Sequence, residues 1–324
     1  MTHRNLTSMI RVNEQISLRT DTHTRLTVSP LYHITGQVFS IGLAAACGET
    51  LVLIEKFNPE EVLRTIAQER CSHLLCMPTY YKELLDYGPS TWDGQVRQSL
   101  RFCATGGGPL MRAWGEEFQD RFSVPILTGY GLTEATGIVT WHNVGDTLHP
   151  GTVGRPVPHV KICIVNNQGR PALIGQPGEI LIKSPGNMRG YHKLPQATGD
   201  VYRDGWLCTG DIGFQDDEGY VTLIGRSSGR IIRAEEHIFP AEIEGVLCEH
   251  PRVAQAAAFA IAHPRFGQDV KTLVVPKPGC HLTQEDLSLW IDHHLPKSKH
   301  PGIMEICHSL PMTSTGKVAR NLLH

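Results

Sequence analysis

Between Leu26 and Trp141 short apolar runs alternate with amphipathic ones, and this alternation constrains the fold more than any other feature of the chain. "RLTVSPLYH" is brief, apolar and stopped by a proline. "PEEVLRTIAQER" has helical periodicity with two acids in its first turn, and "CSHLLCMPT" is strand-like again. "KELLDYG" is helical, "LRFCATGGG" passes from strand into a glycine turn, "MRAWGEEFQDRF" is helical, and "VPILTGYG" repeats the strand-to-turn pattern. Strands separated by helix-length segments assemble as βαβ units around a mostly parallel sheet. In such sheets ligands collect at the turns that follow the carboxyl ends of strands.

The texture then changes twice. From Gly151 to Leu223 the pattern differs: "VKICIVNNQGRPALIGQPGEILIKSP" is short strands divided by Asn-Gln-Gly and Gln-Pro-Gly turns with no helix, as in an antiparallel β-subdomain. After Gly225–Arg226 the helical "AEIEGVLCEH" and "TQEDLSLWIDHHL" mix with the strand-like "VAQAAAFAIAH", "KTLVVPKPG" and "MEICHSLP". The expected fold class is therefore α/β, with a large domain over residues 1–225 and a small α+β C-terminal domain over 226–324. Within the large domain, a βαβ lobe covers 1–145 and a β-rich subdomain covers 146–225.

Composition excludes several functions. Of 324 residues 40% are hydrophobic, enough for a core without staples, and 30 basic against 32 acidic side chains leave a net charge of −2. That balance does not suit a nucleic-acid surface or an anionic membrane as main partner. Nine dispersed cysteines, with Cys71 and Cys76 closest, read as reduced thiols in a cytoplasmic protein. The opening "MTHRNLTSMIRVNEQ" is interrupted by Arg4, Asn5, Arg11 and Glu14, unlike a signal peptide, while Leu6, Met9, Ile10 and Val12 form a helical stripe. No run approaches the roughly eighteen apolar residues of a membrane span.

Four motifs carry chemistry, each with a bland alternative. "TSTGKVAR" is not a phosphate loop, because Pro311 stands where an earlier glycine belongs and Val318 where Ser or Thr should follow Lys317. Gly106, Gly107 and Gly108 lack Cβ atoms, so backbone there can approach a flat ring or a phosphate, though glycine runs also serve as plain turns. "GYGLTEATG" offers the aromatic face of Tyr130 beside Gly131, then a hydroxyl at Thr133 and a carboxylate at Glu134. Those groups suit phosphate oxygens and Mg2+, or equally a helix capped by Thr133. "DGWLCTGDIG" places Asp211 between glycines in a sharp turn, suited to a diol such as ribose or to an ordinary Asx turn. Arg226 follows at the proposed boundary between domains.

The order of these motifs is more specific than any one of them. Pro-Leu-Tyr-His at 30–33, the glycine run, "YGLTE", "GWLCTGD", Gly-Arg and "PMTSTGK" together closely resemble the adenylate-forming superfamily of acyl- and aryl-CoA ligases, luciferases and adenylation domains. The resemblance spans essentially the whole chain. It implies ATP-dependent, Mg2+-dependent activation of a carboxylic acid as its adenylate, then transfer to coenzyme A or to a carrier-protein thiol. It implies that Gly106, Gly107 and Gly108 line the adenine slot, that Tyr130 stacks on the base beside Gly131, that Thr133 touches phosphate and that Glu134 holds Mg2+. Asp211 would take the ribose hydroxyls with Arg226 close by, and Lys317 would bridge carboxylate and α-phosphate. His33 would border the acid, and the absence of an aspartate near it favours a simple acyl or aryl acid.

The chain departs from that family in two places. It has no Ser/Thr/Gly-rich loop for the β- and γ-phosphates, so the expectation is a chain truncated at its N-terminal side. It would then be a subunit completed by a partner chain, or a non-catalytic remnant. At the hinge, Ser228, Gly229 and Ala234–Glu235 replace the family's acid and its glycine pair, which bears on the thioester step.

Overall fold

The computed structural model describes residues 1–17, 23–108, 110–143, 149–234, 236–313 and 318–323. Its first part runs α1 (His3–Ile16), β1 (Thr24–Thr27), α2 (Leu43–Cys47), β2 (Thr50–Leu53), α3 (Pro59–Glu69), β3 (His73–Leu75), α4 (Pro78–Asp86), α5 (Asp93–Ser99), β4 (Phe102–Gly106), α6 (Arg112–Phe122), β5 (Ile126–Leu132), β6 (Gly137–Trp141) and β7 (Arg155–Pro156). Their sheet has the order β2-β1-β3-β4-β5-β6-β7. The first five of these strands pair in parallel, and β6 and β7 add on antiparallel.

Two-residue periodicity sorts the strand side chains onto opposite faces. Leu74, Cys103 and Ile126 pack with Val62, Leu63 and Ile66 of α3, Tyr81 and Leu84 of α4, and Phe118 and Phe122 of α6. Leu75, Ala104 and Leu127 face the other way, onto Met9 and Val12 of α1, Phe39, and the inner side of the second sheet. The sequence stripe in α1 is thus its buried face. Asn58 caps α3 by accepting from the Glu61 amide at 3.0 Å, with Pro59 in the first turn, an arrangement worth about 1 kcal/mol. Before α2 the segment Gly36–Gly42 winds as a π-helix, a form that periodicity does not reveal.

The second sheet contains β8 (Lys161–Val165), β9 (Gly178–Lys183), β10 (Tyr202–Arg203), β11 (Trp206–Gln215) and β12 (Val221–Arg226), ordered β10-β11-β9-β8 with β12 on β11. Beyond the 160–185 stretch one helix, α7 (Pro195–Asp200), starts at a proline in its first turn. The third sheet uses β13 (Ile231–Arg233), β14 (Glu236–Ile238), β15 (Val253–His263), β16 (Gly267–Pro276) and β17 (Ile303–Ile306), with α8 (Pro240–Glu249) and α9 (Gln284–His294). It encloses its own core of Ile231, Ile243, Leu247, Val270, Val274, Leu287 and Ile291. The chain divides into two compact units, residues 1–209 with 214–222, and residues 210–213 with 223–324.

A buried polar group lies at the amino ends of β1 and β3. His23 and His73 place their Nδ1 atoms 3.2 Å apart, with Ser72 Oγ at 3.0 and 2.9 Å from them. Arg25 pairs with Glu49 alongside, and both imidazole Nε2 atoms are buried without a hydrogen-bond partner among the described residues. Burial lowers both histidine pKa values, and Arg25 lowers that of His73 further. The folded state therefore keeps these rings neutral, whereas the unfolded chain protonates them near the ordinary value of about 6.5. Their stabilising contribution is complete above that value and is lost as pH falls below it. On going from about pH 7.5 to about pH 5, above most carboxylate titration, the urea midpoint should fall more for the parent than for His73→Gln. Equal falls would contradict this account.

Candidate functional site

In the first unit the site is built at the carboxyl ends of β4 and β5. α4 fixes the approach from below: the Tyr81 hydroxyl lies 3.0 Å from the carbonyls of Leu74 and Ala104 and accepts from the Ala104 amide at 3.0 Å. Thr105 Oγ1 donates to the Cys76 carbonyl at 2.9 Å, so β3 and β4 are tied immediately before the glycine run. Gly106 pairs with Gly129, and a Cβ on Gly106 would sit 3.1 Å from the Gly129 carbonyl oxygen. Gly107 has φ +78, in the left-handed region that glycine favours. Gly108 faces Pro78, the first residue of α4.

β5 does not end at Gly-Tyr-Gly as expected. It continues to Leu132, with an irregularity in its pairing to β6 between Tyr130 and Gly131. A Cβ on Gly131 would overlap the Gly137 carbonyl, so this glycine is required by close backbone approach. Tyr130 is only 7% exposed and joins the core with Phe102, Leu127 and Trp141. Thr133–Ala135 then form one 3-10 turn preceded by Leu132, with no side-chain cap. The capping alternative for Thr133 is thereby set aside, and its residue is exposed.

Glu134 is held at two points by the segment before α7. Its carbonyl accepts from the Met188 amide at 2.6 Å, and its Oε1 accepts from the Tyr191 hydroxyl at 3.0 Å. Next to it, Thr136 Oγ1 donates to the Gly186 carbonyl at 2.5 Å, and a Cβ on Gly186 would strike the Ala135 carbonyl. Sequence reasoning missed Gly186, Met188 and Tyr191. Their signal is "GNMRGYHKLPQAT", where glycines, a tyrosine and a helix-starting proline follow the last short apolar run.

His33 follows β1 and is half-buried, its Nδ1 3.1 Å from Thr35 Oγ1. Because β1, β3, β4 and β5 run in parallel, the segments holding His33, Pro78, Gly106–Gly108 and Thr133–Glu134 all follow the same edge of the sheet.

In the second unit Asp211 lies inside β11 rather than in a sharp turn. Gly210, at φ +70, bends the strand just before it, so the expected turn is a local kink. Asp211 is buried and its Oδ1 accepts from Arg226 Nε at 2.7 Å, while the Arg226 side chain is 63% exposed. Lys317 and Glu235 lie outside the described residues. Ser228 and Gly229 form a 3-10 turn with Ser227.

Sequence profiles carry the next step. The AMP-binding enzyme profile matches residues 1–192, and the AMP-binding enzyme C-terminal domain matches 242–317. The chain belongs to the AMP-binding enzyme family. Feruloyl-CoA synthase of Amycolatopsis sp is 31% identical over 322 residues, 99% of this chain and 65% of that protein. Oxalate–CoA ligase of Arabidopsis thaliana is 28% identical over 327 residues, 100% of this chain and 63% of that protein. Among solved structures, ATP-bound MatB of Rhodopseudomonas palustris superimposes with a TM-score of 0.92 at 27% identity, over 99% of this chain and 63% of that one. O-succinylbenzoate coenzyme A synthetase of Bacillus subtilis, in complex with ATP and magnesium ion, gives 0.88 at 26% identity, over 99% and 66%. The mixed α/β fold with a small C-terminal domain matches these enzymes. The chain spans less than two thirds of the length of each of these relatives.

Ala234 has a measurable consequence for stability. β13 and β14 pair Arg233 with Glu236, and Ala234 opens their two-residue connection at φ +53. Such hairpin loops favour Gly or Asn because a Cβ is strained there by about 1–2 kcal/mol. Glycine gives back roughly 0.5–1 kcal/mol in unfolded-state entropy. Ala234→Gly should therefore leave stability unchanged or raise it by up to about 1.5 kcal/mol in urea titration, and a lower midpoint would contradict the strain.

Proposed function

We propose that the chain takes part in ATP-dependent activation of a carboxylic acid as its acyl-adenylate, followed by transfer of the acyl group to coenzyme A. The observation that carries this reading is the juxtaposition of Gly106–Gly108 and Thr133–Glu134 at the ends of two adjacent parallel strands. In the first half-reaction a carboxylate oxygen attacks the α-phosphorus and pyrophosphate leaves. In the second, a thiolate attacks the acyl carbon and AMP leaves.

Gly106, Gly107 and Gly108 offer bare backbone to the adenine, and the small accessible part of Tyr130, beside Gly131, offers a stacking surface. Thr133 turns its hydroxyl to phosphate oxygens. Asp211 accepts from the ribose diol, with Arg226, which donates to its Oδ1, close by. Lys317 brings a cation between two anions that must meet, which lowers the electrostatic cost of their approach. His33 borders the acid.

Mg2+ fits the donor set at Glu134. One carboxylate oxygen is taken by Tyr191, the other accepts no hydrogen bond among the described residues, and hard cations of this size take one or two carboxylates plus phosphate oxygens. The ion would neutralise charge on the phosphates.

The relatives' names support coenzyme A as acceptor, with a carrier-protein thiol as the variant, and their acids range from aromatic to dicarboxylic. A second reading follows from length. Since the chain spans 65% of feruloyl-CoA synthase, a partner chain supplying further phosphate-binding residues would complete the site. A reducing, cytoplasmic setting accords with nine cysteines that form no disulfide among the described residues.

ATP–pyrophosphate exchange with pooled short, medium and aromatic acids tests this. Exchange by the chain that disappears in Lys317→Ala is the expected result. Absence of exchange in folded protein, alone and with added candidate partner chains, would overturn it.

A further inference from the structure

Glu134 is positioned by a segment distant in sequence. Residues 186–191 make three hydrogen bonds to residues 134–136: Met188 amide to Glu134 carbonyl, Thr136 hydroxyl to Gly186 carbonyl, and Tyr191 hydroxyl to Glu134 Oε1. The first two set the backbone, and only the third touches the functional carboxylate. Without it Glu134 has a half-exposed side chain, free to occupy several rotamers.

Tyr191 is itself restrained. Its amide donates to Thr198 Oγ1 at 2.9 Å, and that hydroxyl lies 2.9 Å from the carbonyl of Leu194, the N-cap of α7. The Tyr202 hydroxyl donates to the Met188 carbonyl at 2.5 Å, holding the other end of the segment. Asn5 Nδ2 reaches the carbonyls of Pro185 and Asn187 at 2.9 and 3.0 Å. The segment is a strap, fastened on both sides, that presents one phenolic hydroxyl to one carboxylate oxygen.

We propose that Tyr191 is a positioning residue for the metal-binding carboxylate of Glu134, holding Oε1 so that Oε2 is turned to a divalent cation on the nucleotide. This rests on the reading of Glu134 given above. A donor to one oxygen of a ligating carboxylate fixes its rotamer before the ion arrives, and loss of such a partner typically weakens metal affinity about 10–100-fold. Tyr191→Phe removes a single oxygen and leaves the ring, so its effect on folding should be small.

The test is Mn2+ binding to the full chain with ATP, followed by electron paramagnetic resonance, beside thermal unfolding of each variant without ligand. Tyr191→Phe should weaken Mn2+ about tenfold or more with an unfolding midpoint near that of the parent. Glu134→Gln should weaken it at least as much, and Tyr191→Phe should add nothing in the Glu134→Gln background. Thr198→Val, one bond further away, should give a smaller loss and provides a second variant should Tyr191→Phe be unstable. Affinity unchanged in both Tyr191→Phe and Thr198→Val, with Glu134→Gln defective, would overturn the positioning role alone. Affinity unchanged in Glu134→Gln, or no Mn2+ binding by the parent, would overturn the metal reading beneath it.

Discussion

Gly106 and Gly129 stand opposite each other where β4 and β5 run in parallel, and a Cβ on Gly106 would sit 3.1 Å from the Gly129 carbonyl. Two residues on, Gly131 meets Gly137 with no room for a side chain. This close approach lets β5 run past the glycine run and turn at Thr133, so that both candidate turns emerge side by side. The tightness is supported from outside the strands. Tyr81 ties β3 to β4 below, and the 186–191 strap ties the Thr133–Ala135 turn above.

Much of this was legible in the sequence, for identifiable reasons. β3, β4 and β5 are buried on both faces, so they show as continuous apolar runs between helices with strong periodicity such as α3. The parallel sheet, the antiparallel subdomain and the separate C-terminal α+β unit follow from such runs and from turn residues. The motif order likewise pointed to the AMP-binding enzyme family.

What was not legible depends on long-range contacts. Nothing local marks β5 as continuing through Gly129-Tyr130-Gly131, because its continuation depends on pairing with β6. Asp211 looks like a turn residue by its glycines, yet it lies within β11, which pairs with β9, β10 and β12 and takes up Gly210 at φ +70. Tyr191 meets Glu134 across 57 positions of sequence, a separation no periodicity reports. The same limit applies to His23 and His73, which read as ordinary polar residues beside strands but share a buried hydrogen-bond cluster.

The central claim is that the turns after β4 and β5 form one nucleotide-binding surface. Backbone hydrogen exchange of the chain with and without AMP tests it most directly. The account predicts that AMP slows exchange in peptides covering 105–108 and 130–136, leaving the helices α3 and α6 on the opposite face unchanged. No slowing at either turn under saturating AMP, or slowing confined to segments away from both, would contradict it.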